Sequence, residues 1–175
     1  MNAASTLYRP RASTMLISEQ DVPRTAAEDS WHGLTLTLDE APPLVMPFGE
    51  GEFVIRPRPD NWIVPALQKV SELGFLPPNW NSYGARPIRP EIAQVAIGLL
   101  LNVLLPGDPL PAVVPTARGG IMLEWHEAGV DLEIDIRSPN VIHVWLEYDG
   151  RSEEIEQASV QEIADRLNSL RSRTM

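Results

Sequence analysis

The stretch IMLEWHEAGVDLEIDIRSPNVIHVWLEYDGRSEEIE, residues 121–156, decides the fold of this chain. Apolar and polar residues alternate through it, which is the period of a β-strand with one buried face. Short segments rich in glycine, proline and asparagine interrupt the alternation, and the last of them, Asp149-Gly150, is a typical two-residue hairpin turn. The pattern predicts an antiparallel meander with strands at 112–116, 121–126, 130–136, 141–148 and 152–156.

The same alternation predicts which residues share a face of the sheet. A slip of one residue would turn every side chain of a strand to the other face, so the apolar residues fix the register. The predicted pairs are Ile121 with Ile134, Leu123 with Leu132, Trp125 with Val130, Ile136 with Ile142, Ile134 with Val144, Leu132 with Leu146 and Val144 with Ile155. One face is then wholly apolar, and we expect helices to cover it.

The opposite face of the predicted sheet collects acidic side chains. Between residues 117 and 157 there are ten Asp or Glu and three Arg, a net charge of −7 in a 175-residue chain whose formal net charge is −10. Three interpretations follow: a hydrated face, a docking surface for a basic partner, or a divalent metal site built from Glu133, Asp135 and His143. Trp145 would anchor the docking surface, with Trp125 nearby. The residues assigned to the docking surface are Glu124, Asp131, Glu133, Asp135, His143, Trp145, Glu147 and Glu154.

Helices are predicted before and after the meander along the chain. One extends from Asp60 to a stop at Gly74, and a second, at 90–105, is apolar over most of its circumference and is therefore expected to be central. Ser159 and Glu162 form a capping box, in which each residue satisfies a free backbone N–H of the other, at the start of a third helix. Its apolar stripe comprises Val160, Ile163, Ala164, Leu167 and Leu170.

The N-terminal part gives weaker patterns. Residues 34–39 and 52–56 are candidate short strands, and residues 1–30 are expected to form a loosely ordered tail that is not a signal peptide. Residues 31–175 are predicted to form a single α+β domain. Its expected architecture is an antiparallel meander of about four to five strands with helices packed on one face, plus one or two short N-terminal strands.

The segment LPPNWNSYGA at 76–85 lies between the first two predicted helices. Its prolines stop the preceding helix, and its asparagines can bond nearby backbone in Asx turns. Aromatic and amide side chains are also common in recognition loops. The segment is therefore interpreted either as a structural corner or as a recognition loop formed by Asn79, Trp80, Asn81 and Tyr83.

Composition excludes several kinds of chemistry. There is no cysteine, which removes disulfides, thiol nucleophiles and thiolate metal sites. The negative charge opposes binding to nucleic acids and to anionic membranes, and the longest apolar run, 95–105, is shorter than the roughly 20 residues of a membrane span. No serine elbow or phosphate-binding glycine loop is present, so we expect no cofactor and favour a role that is not enzymatic.

Two segments together resemble a known group of proteins. LPPNWNSYGARPI and VVPTARGGIMLEWHEAGVDLEIDI resemble a family of small uncharacterised bacterial proteins with a Leu-Pro-x-Asn-Trp-Asp-x-Tyr-Gly-Ala segment and a Pro-Thr-x-x-Gly-Gly-Ile-x-Leu-Glu-Trp hairpin. The match covers about residues 63–136, with Asn81 where the family has an acid. The resemblance implies a bacterial cytoplasmic setting and no particular activity.

These observations leave three functional hypotheses. The first is a non-catalytic protein-binding module of antitoxin, immunity, inhibitor or adaptor type, whose acidic sheet face engages a basic protein partner. The second is a protein that binds or hydrolyses a small molecule, or binds a metal, in a pocket near Trp80 and Tyr83. The third is a self-assembling structural protein in which edge strands pair two copies as a homo-oligomer.

Overall fold

The computed structural model of the chain describes residues 5–10 and 41–174. The fold is α+β, as predicted, and the described residues form two antiparallel sheets and three helices. The candidate strand at 34–39 and most of the predicted tail lie outside the described residues. In chain order the elements are β1 (Ser5–Pro10), β2 (Leu44–Phe48), β3 (Gly51–Arg56), α1 (Val64–Leu73), α2 (Pro90–Val103), β4 (Ala112–Pro115), β5 (Ile121–Glu127), β6 (Val130–Ser138), β7 (Val141–Tyr148), β8 (Arg151–Ile155) and α3 (Val160–Thr174).

The predicted meander is present as a five-stranded sheet. Its strands lie in the order β4-β5-β6-β7-β8, so each strand pairs with its neighbour in sequence. Ile134 pairs with Val144, and Val144 pairs with Ile155, as the alternation predicts. The last hairpin turns at Asp149 and Gly150, whose φ angles of 49° and 69° are those of the two-residue turn expected there.

The register of the β5–β6 hairpin differs from the prediction by two residues. Leu123 pairs with Ile134 and Trp125 with Leu132, whereas the predicted partners were Leu132 and Val130. The reason is the turn, which consists of Ala128-Gly129 with φ angles of 51° and 74°. A turn of only two residues keeps the strands paired up to their ends. Because the shift is even, no side chain changes face.

Residues 5–10 correct the prediction that they belong to a loosely ordered tail. They form β1, which pairs with β3 in a second sheet of order β1-β3-β2. The ring of Tyr8 lies 5.3 Å from that of Phe53, and Gln94 of α2 donates its side-chain N–H to the Thr6 carbonyl oxygen at 3.0 Å. An aromatic contact and a hydrogen bond to the central helix therefore hold this short strand in place.

Helix α2 is the centre of the domain, as predicted. It contacts β1 of one sheet, β5 and β6 of the other, and both other helices. Pro90 occupies its first turn, where the missing N–H costs nothing, and the helix ends at Val103 rather than near 105. Helix α1 begins at Val64, later than predicted, and Gly74 follows its last residue. The buried residues of α2 are Ile92, Ala93, Ala96, Ile97, Leu99, Leu100 and Val103.

Helix α3 closes the apolar side of the five-stranded sheet. Its capping box is present, since the Ser159 N–H donates to Glu162 Oε2 at 2.8 Å and the Glu162 N–H donates to Ser159 Oγ at 3.3 Å. Ile163, Leu167 and Leu170 belong to the core. Val160, predicted to join that stripe, is the first residue of the helix and is 50% exposed.

Candidate functional site

The outward side of the five-stranded sheet is the surface that we call the acidic face. Along β6 and β7 buried residues alternate with half-buried ones, and the half-buried set faces outward. All eight residues that the sequence assigned to a docking surface lie there, so the structure brings them together. The acidic face comprises Met122, Glu124, His126, Asp131, Glu133, Asp135, His143, Trp145, Glu147, Ser152 and Glu154.

Carboxylates oppose each other directly across neighbouring strands of the acidic face. Glu124 on β5 is the cross-strand partner of Glu133 on β6, and Asp131 on β6 is the partner of Glu147 on β7. Directly opposed like charges destabilise a sheet, by about 0.2–1 kcal/mol per pair on the scale of cross-strand interactions. Within the face, His126 on β5 lies 2.7 Å from Asp131 and 3.8 Å from Glu124, whereas Glu133 and Glu147 form no ion pair with any described residue.

Trp145 lies among the carboxylates of the acidic face. Its cross-strand partners are Glu133 on β6 and Glu154 on β8, and the residue is half-buried. An indole at such a position offers a large apolar contact area in polar surroundings. Trp125, expected nearby, is instead 2% exposed in the core, where its indole N–H donates to the Pro109 carbonyl oxygen at 2.9 Å. That expectation was wrong, because Trp125 belongs to the apolar set of β5.

Both histidines of the acidic face bond to carboxylates. His126 Nδ1 lies 2.7 Å from Asp131 Oδ1, and His143 Nε2 lies 2.7 Å from Glu154 Oε1. The hydrogen bond to Asp131 raises the pKa of His126, because the carboxylate accepts from the protonated ring, and the negative charges of Asp131, Glu124 and Glu133 add to this against an opposing effect of desolvation. The acidic face thus favours the cationic form of His126.

A shallow cavity of about 340 Å³ opens on the acidic face. Within it Asp135 Oδ2 accepts a hydrogen bond from Arg137 Nε at 2.7 Å, whereas Asp135 Oδ1 is buried and accepts no hydrogen bond from any described residue. A buried acceptor without a donor costs about 1–3 kcal/mol. The residues that line the cavity are Met122, Glu133, Asp135, Arg137, His143 and Trp145.

The metal-site interpretation receives no support from this geometry. Among residues 5–10 and 41–174, no three His, Asp or Glu side chains are arranged so that they could hold a metal ion. Arg137 already occupies one oxygen of Asp135, and Glu154 bonds to the ring of His143. Arg137 itself was not among the predicted site residues. The sequence signal that could have indicated Arg137 is Pro139, two residues later. Proline cannot adopt the positive φ angle of the other hairpin turns, so an irregular strand end is expected at this position.

The segment at 76–85 is braced by its own asparagines, as the corner interpretation predicts. Asn79 Oδ1 accepts the Gly84 N–H at 2.6 Å, and Asn81 Oδ1 accepts the N–H groups of Tyr83 and Ala85 at 2.9 and 3.1 Å. The half-buried Trp80 donates its indole N–H to the backbone oxygen of the residue that follows the segment, at 3.3 Å. Of the four candidate recognition residues, only Tyr83, at 92% exposure, points freely into solvent.

Comparisons of the chain with family models, with curated proteins and with solved structures found no match. The family resemblance described above therefore stays a prediction, and the roles of residues must be argued from geometry alone. Within residues 5–10 and 41–174, no helix is long and apolar enough to cross a membrane.

Proposed function

We propose that this chain is a non-catalytic protein-binding module, of antitoxin, immunity, inhibitor or adaptor type, whose acidic face engages a basic protein partner. The observation that carries the proposal is the direct opposition of Glu124 to Glu133 and of Asp131 to Glu147 around the half-buried Trp145. A sheet needs only polar residues to keep one face hydrated. Opposed carboxylates cost stability, and Lys or Arg side chains of a partner would relieve that cost.

The arrangement matches the anatomy of a protein interface. Aromatic residues near the centre of an interface provide most of the binding energy, while charges around them steer association and select the partner. Trp145 has the central position, and carboxylates surround it on β5, β6, β7 and β8. The buried Asp135 oxygen without a hydrogen-bond donor adds negative charge to the cavity beside Trp145.

The non-catalytic part of the proposal rests on the use of the histidines. Each imidazole of the acidic face hydrogen-bonds a carboxylate across the strands. In the described part of the chain neither ring is hydrogen-bonded to a serine, as a nucleophile and its base would be. His126 and His143 thus act here as hydrogen-bond partners of Asp131 and Glu154.

Charge reversal at the centre of the face tests the proposal. Wild type, Glu133→Lys and Glu50→Lys would be used to capture partners from the cells of origin, and each captured protein would be purified and its affinity measured at low and moderate salt. Glu50 is the matched control, since it is exposed in the β2–β3 turn of the other sheet. We expect a basic partner whose affinity falls with salt, is lost in Glu133→Lys and is retained in Glu50→Lys.

Amide chemical shifts provide a second measurement that needs no partner from the host. An arginine-rich peptide added to the full-length chain should shift the amides of β5, β6 and β7 around Trp145. A partner that binds Glu133→Lys as tightly as wild type, or peptide shifts confined to the β1-β3-β2 sheet, would refute the acidic face as the binding surface.

A further inference from the structure

A cleft of about 600 Å³ lies where three separate parts of the chain meet. The segment before α2 provides Arg86 and Arg89, the turn between β4 and β5 provides Arg118, and the end of β6 provides Arg137. Ile88 contributes an apolar part of the lining and is 5% exposed. Four arginines around one cleft are unexpected in a chain with a formal net charge of −10.

Glycines in the β4–β5 turn make this convergence possible. The Arg86 N–H donates to the Ala117 carbonyl oxygen at 3.0 Å, which ties the turn to the segment before α2. Gly119 has a φ angle of 84°, and a Cβ atom there would lie 2.8 Å from the Pro87 carbonyl oxygen. A Cβ atom on Gly120 would lie 2.7 Å from the Ile136 carbonyl oxygen. The turn is therefore held between the two backbones, and Arg118 is fixed beside them.

A bulge at the end of β6 brings the fourth arginine to the cleft. Ile136 pairs with Ile142, but Ser138 pairs with Val141, so Arg137 is an extra residue between the two pairs. Pro139 explains the bulge, because its fixed negative φ prevents the turn type used by the neighbouring hairpins. Bulges commonly redirect a side chain, and here the redirected side chain is Arg137.

The positive charge of the cleft is only half compensated. Arg89 pairs with Glu91 at 3.4 Å and Arg137 with Asp135 at 2.7 Å. Within residues 5–10 and 41–174, Arg86 and Arg118 have no carboxylate at ion-pair distance. Both are exposed, so their guanidinium groups are available to a ligand. Four guanidinium groups thus face two carboxylates in the described part of the chain.

We infer that this cleft binds a small phosphorylated molecule. Arginine presents a planar array of N–H donors that matches two phosphate oxygens at once, and all four cations of this cleft are arginines. The volume lies within the range of about 300–1,000 Å³ for small-molecule sites. Among the described residues, the lining includes Pro87, Ile88 and Pro90 but no aromatic ring, so the phosphate group and not a stacked base is the recognised feature.

The negative charge of the acidic face beside the cleft favours a compact anion over a long polyanion. The acidic face begins next to the cleft, because Arg137 lines both this cleft and the cavity that contains Trp145. A long polyanion would extend over that negative surface and be repelled, whereas a mono- or diphosphate fits within the cleft. The two sites share Arg137, but the opposed carboxylates that carry the proposed function do not line the cleft, so either proposal can fail without the other.

Titration of the full-length chain with inorganic pyrophosphate tests the inference. We expect saturable binding by calorimetry and shifts of the Gly119 and Gly120 amides at the same concentrations. Arg118→Gln and Arg86→Gln should each weaken binding about tenfold or more, since each removes hydrogen bonds from a charged donor to the anion. Arg151→Gln, an exposed arginine in the β7–β8 hairpin, is the matched control and should bind as wild type does.

The inference would be overturned by no saturable binding of pyrophosphate, by an equal loss in Arg151→Gln, or by unchanged binding in the Arg86→Gln, Arg118→Gln double variant. Citrate serves as an anion of comparable charge without phosphorus. If citrate binds as tightly as pyrophosphate, the assignment to phosphate is wrong. Thermal unfolding of every variant without ligand shows whether the substitution has altered the fold.

Discussion

The two faces of the five-stranded sheet use the same strands in opposite ways. On the inner face Leu132, Ile134 and Ile136 are fully buried, and the helices cover them. On the acidic face Glu133 and Asp135 alternate with these residues and meet other charged side chains. Folding requires the inner set, because burial of apolar surface drives it. Folding does not require the opposed carboxylates, and this difference is the reason why the acidic face is the proposed binding surface.

The chain handles charge differently in these two regions. At the helical side Asp108 and Arg171 form an ion pair at 2.6 Å, and their side chains are 6% and 13% exposed. Arg171 also donates to the Val103 carbonyl oxygen at 2.6 Å. That pair is compensated within the fold, whereas Glu124 and Glu133 oppose each other directly, with only the His126 ring nearby, 3.8 Å from Glu124. The buried ion pair stabilises the structure, and the remaining negative charge of the acidic face is what the proposed partner would neutralise.

The largest expected contrast is between two tryptophans on opposite faces. Trp125→Ala should lower the free energy of unfolding by about 3–5 kcal/mol, because it empties a core site and removes the hydrogen bond to Pro109. Trp145→Ala should lower it by about 1 kcal/mol or less, since that indole is only half-buried. Urea unfolding of both variants measures the difference. Equal losses would show that the acidic face is part of the folding core.

The next effect concerns the compensated ion pair. Arg171→Met leaves the Asp108 carboxylate at 6% exposure without its cation and should cost about 3 kcal/mol at pH 7. Arg166→Met is the control, since the Arg166–Glu153 pair is more exposed and should be worth about 1 kcal/mol or less. Urea unfolding measures both. A similar cost for the two variants would contradict the distinction between the pairs.

The same pair determines a dependence of stability on pH. Burial acts to raise the pKa of Asp108, but the hydrogen bonds from Arg171 and the Leu105 N–H outweigh it and lower that pKa. The stabilisation is therefore present above the unfolded pKa of about 3.9 and is lost as pH falls through the lower folded value. Arg171→Met should reduce the fall in the free energy of unfolding at acid pH. If that free energy fell as steeply in Arg171→Met as in wild type, the assignment to Asp108 would be refuted.

A smaller effect of opposite sign is expected on the acidic face. Glu133→Gln removes the repulsion from Glu124 and should raise the free energy of unfolding by about 0.2–1 kcal/mol while weakening binding of a basic partner. Glu50→Gln, in the turn of the other sheet, should leave both quantities unchanged. Thermal unfolding at low salt measures the gain in stability, and the affinity for the arginine-rich peptide or the captured partner measures the loss of binding. A loss of stability in Glu133→Gln would show that the carboxylate is needed by the fold.

The smallest effect is a titration shift. Asp131→Asn should lower the pKa of His126, because the hydrogen bond that the ring makes to the Asp131 carboxylate is the main cause of its raised value. A raised pKa means that the interaction stabilises the fold fully below pH about 6.5 and is lost as pH rises through the folded pKa of His126. NMR titration of the imidazole C–H signals measures the shift. Glu127→Gln, at the end of the same strand, is the control.

Features that depend on residues close together in the sequence were predictable. The alternation in β5, β6 and β7 identified the buried and outward residues, and it did so despite an error of two residues in the β5–β6 register, because an even shift preserves the faces. The capping box at Ser159 and Glu162 and the Asx bonds of Asn79 and Asn81 were predictable for the same reason. Each depends on residues only a few positions apart.

The features that escaped prediction depend on distant parts of the chain. The sequence by itself determined the strands, their faces and the concentration of acids, since strand alternation and turn chemistry are local properties. Only the tertiary structure decided that β1 pairs with β3, that the Trp125 indole N–H meets the Pro109 carbonyl oxygen, and that Arg86, Arg118 and Arg137 share one cleft. The physical reason is that such neighbours are set by the packing of α2 between two sheets and by the close approach of backbones at Gly119 and Gly120.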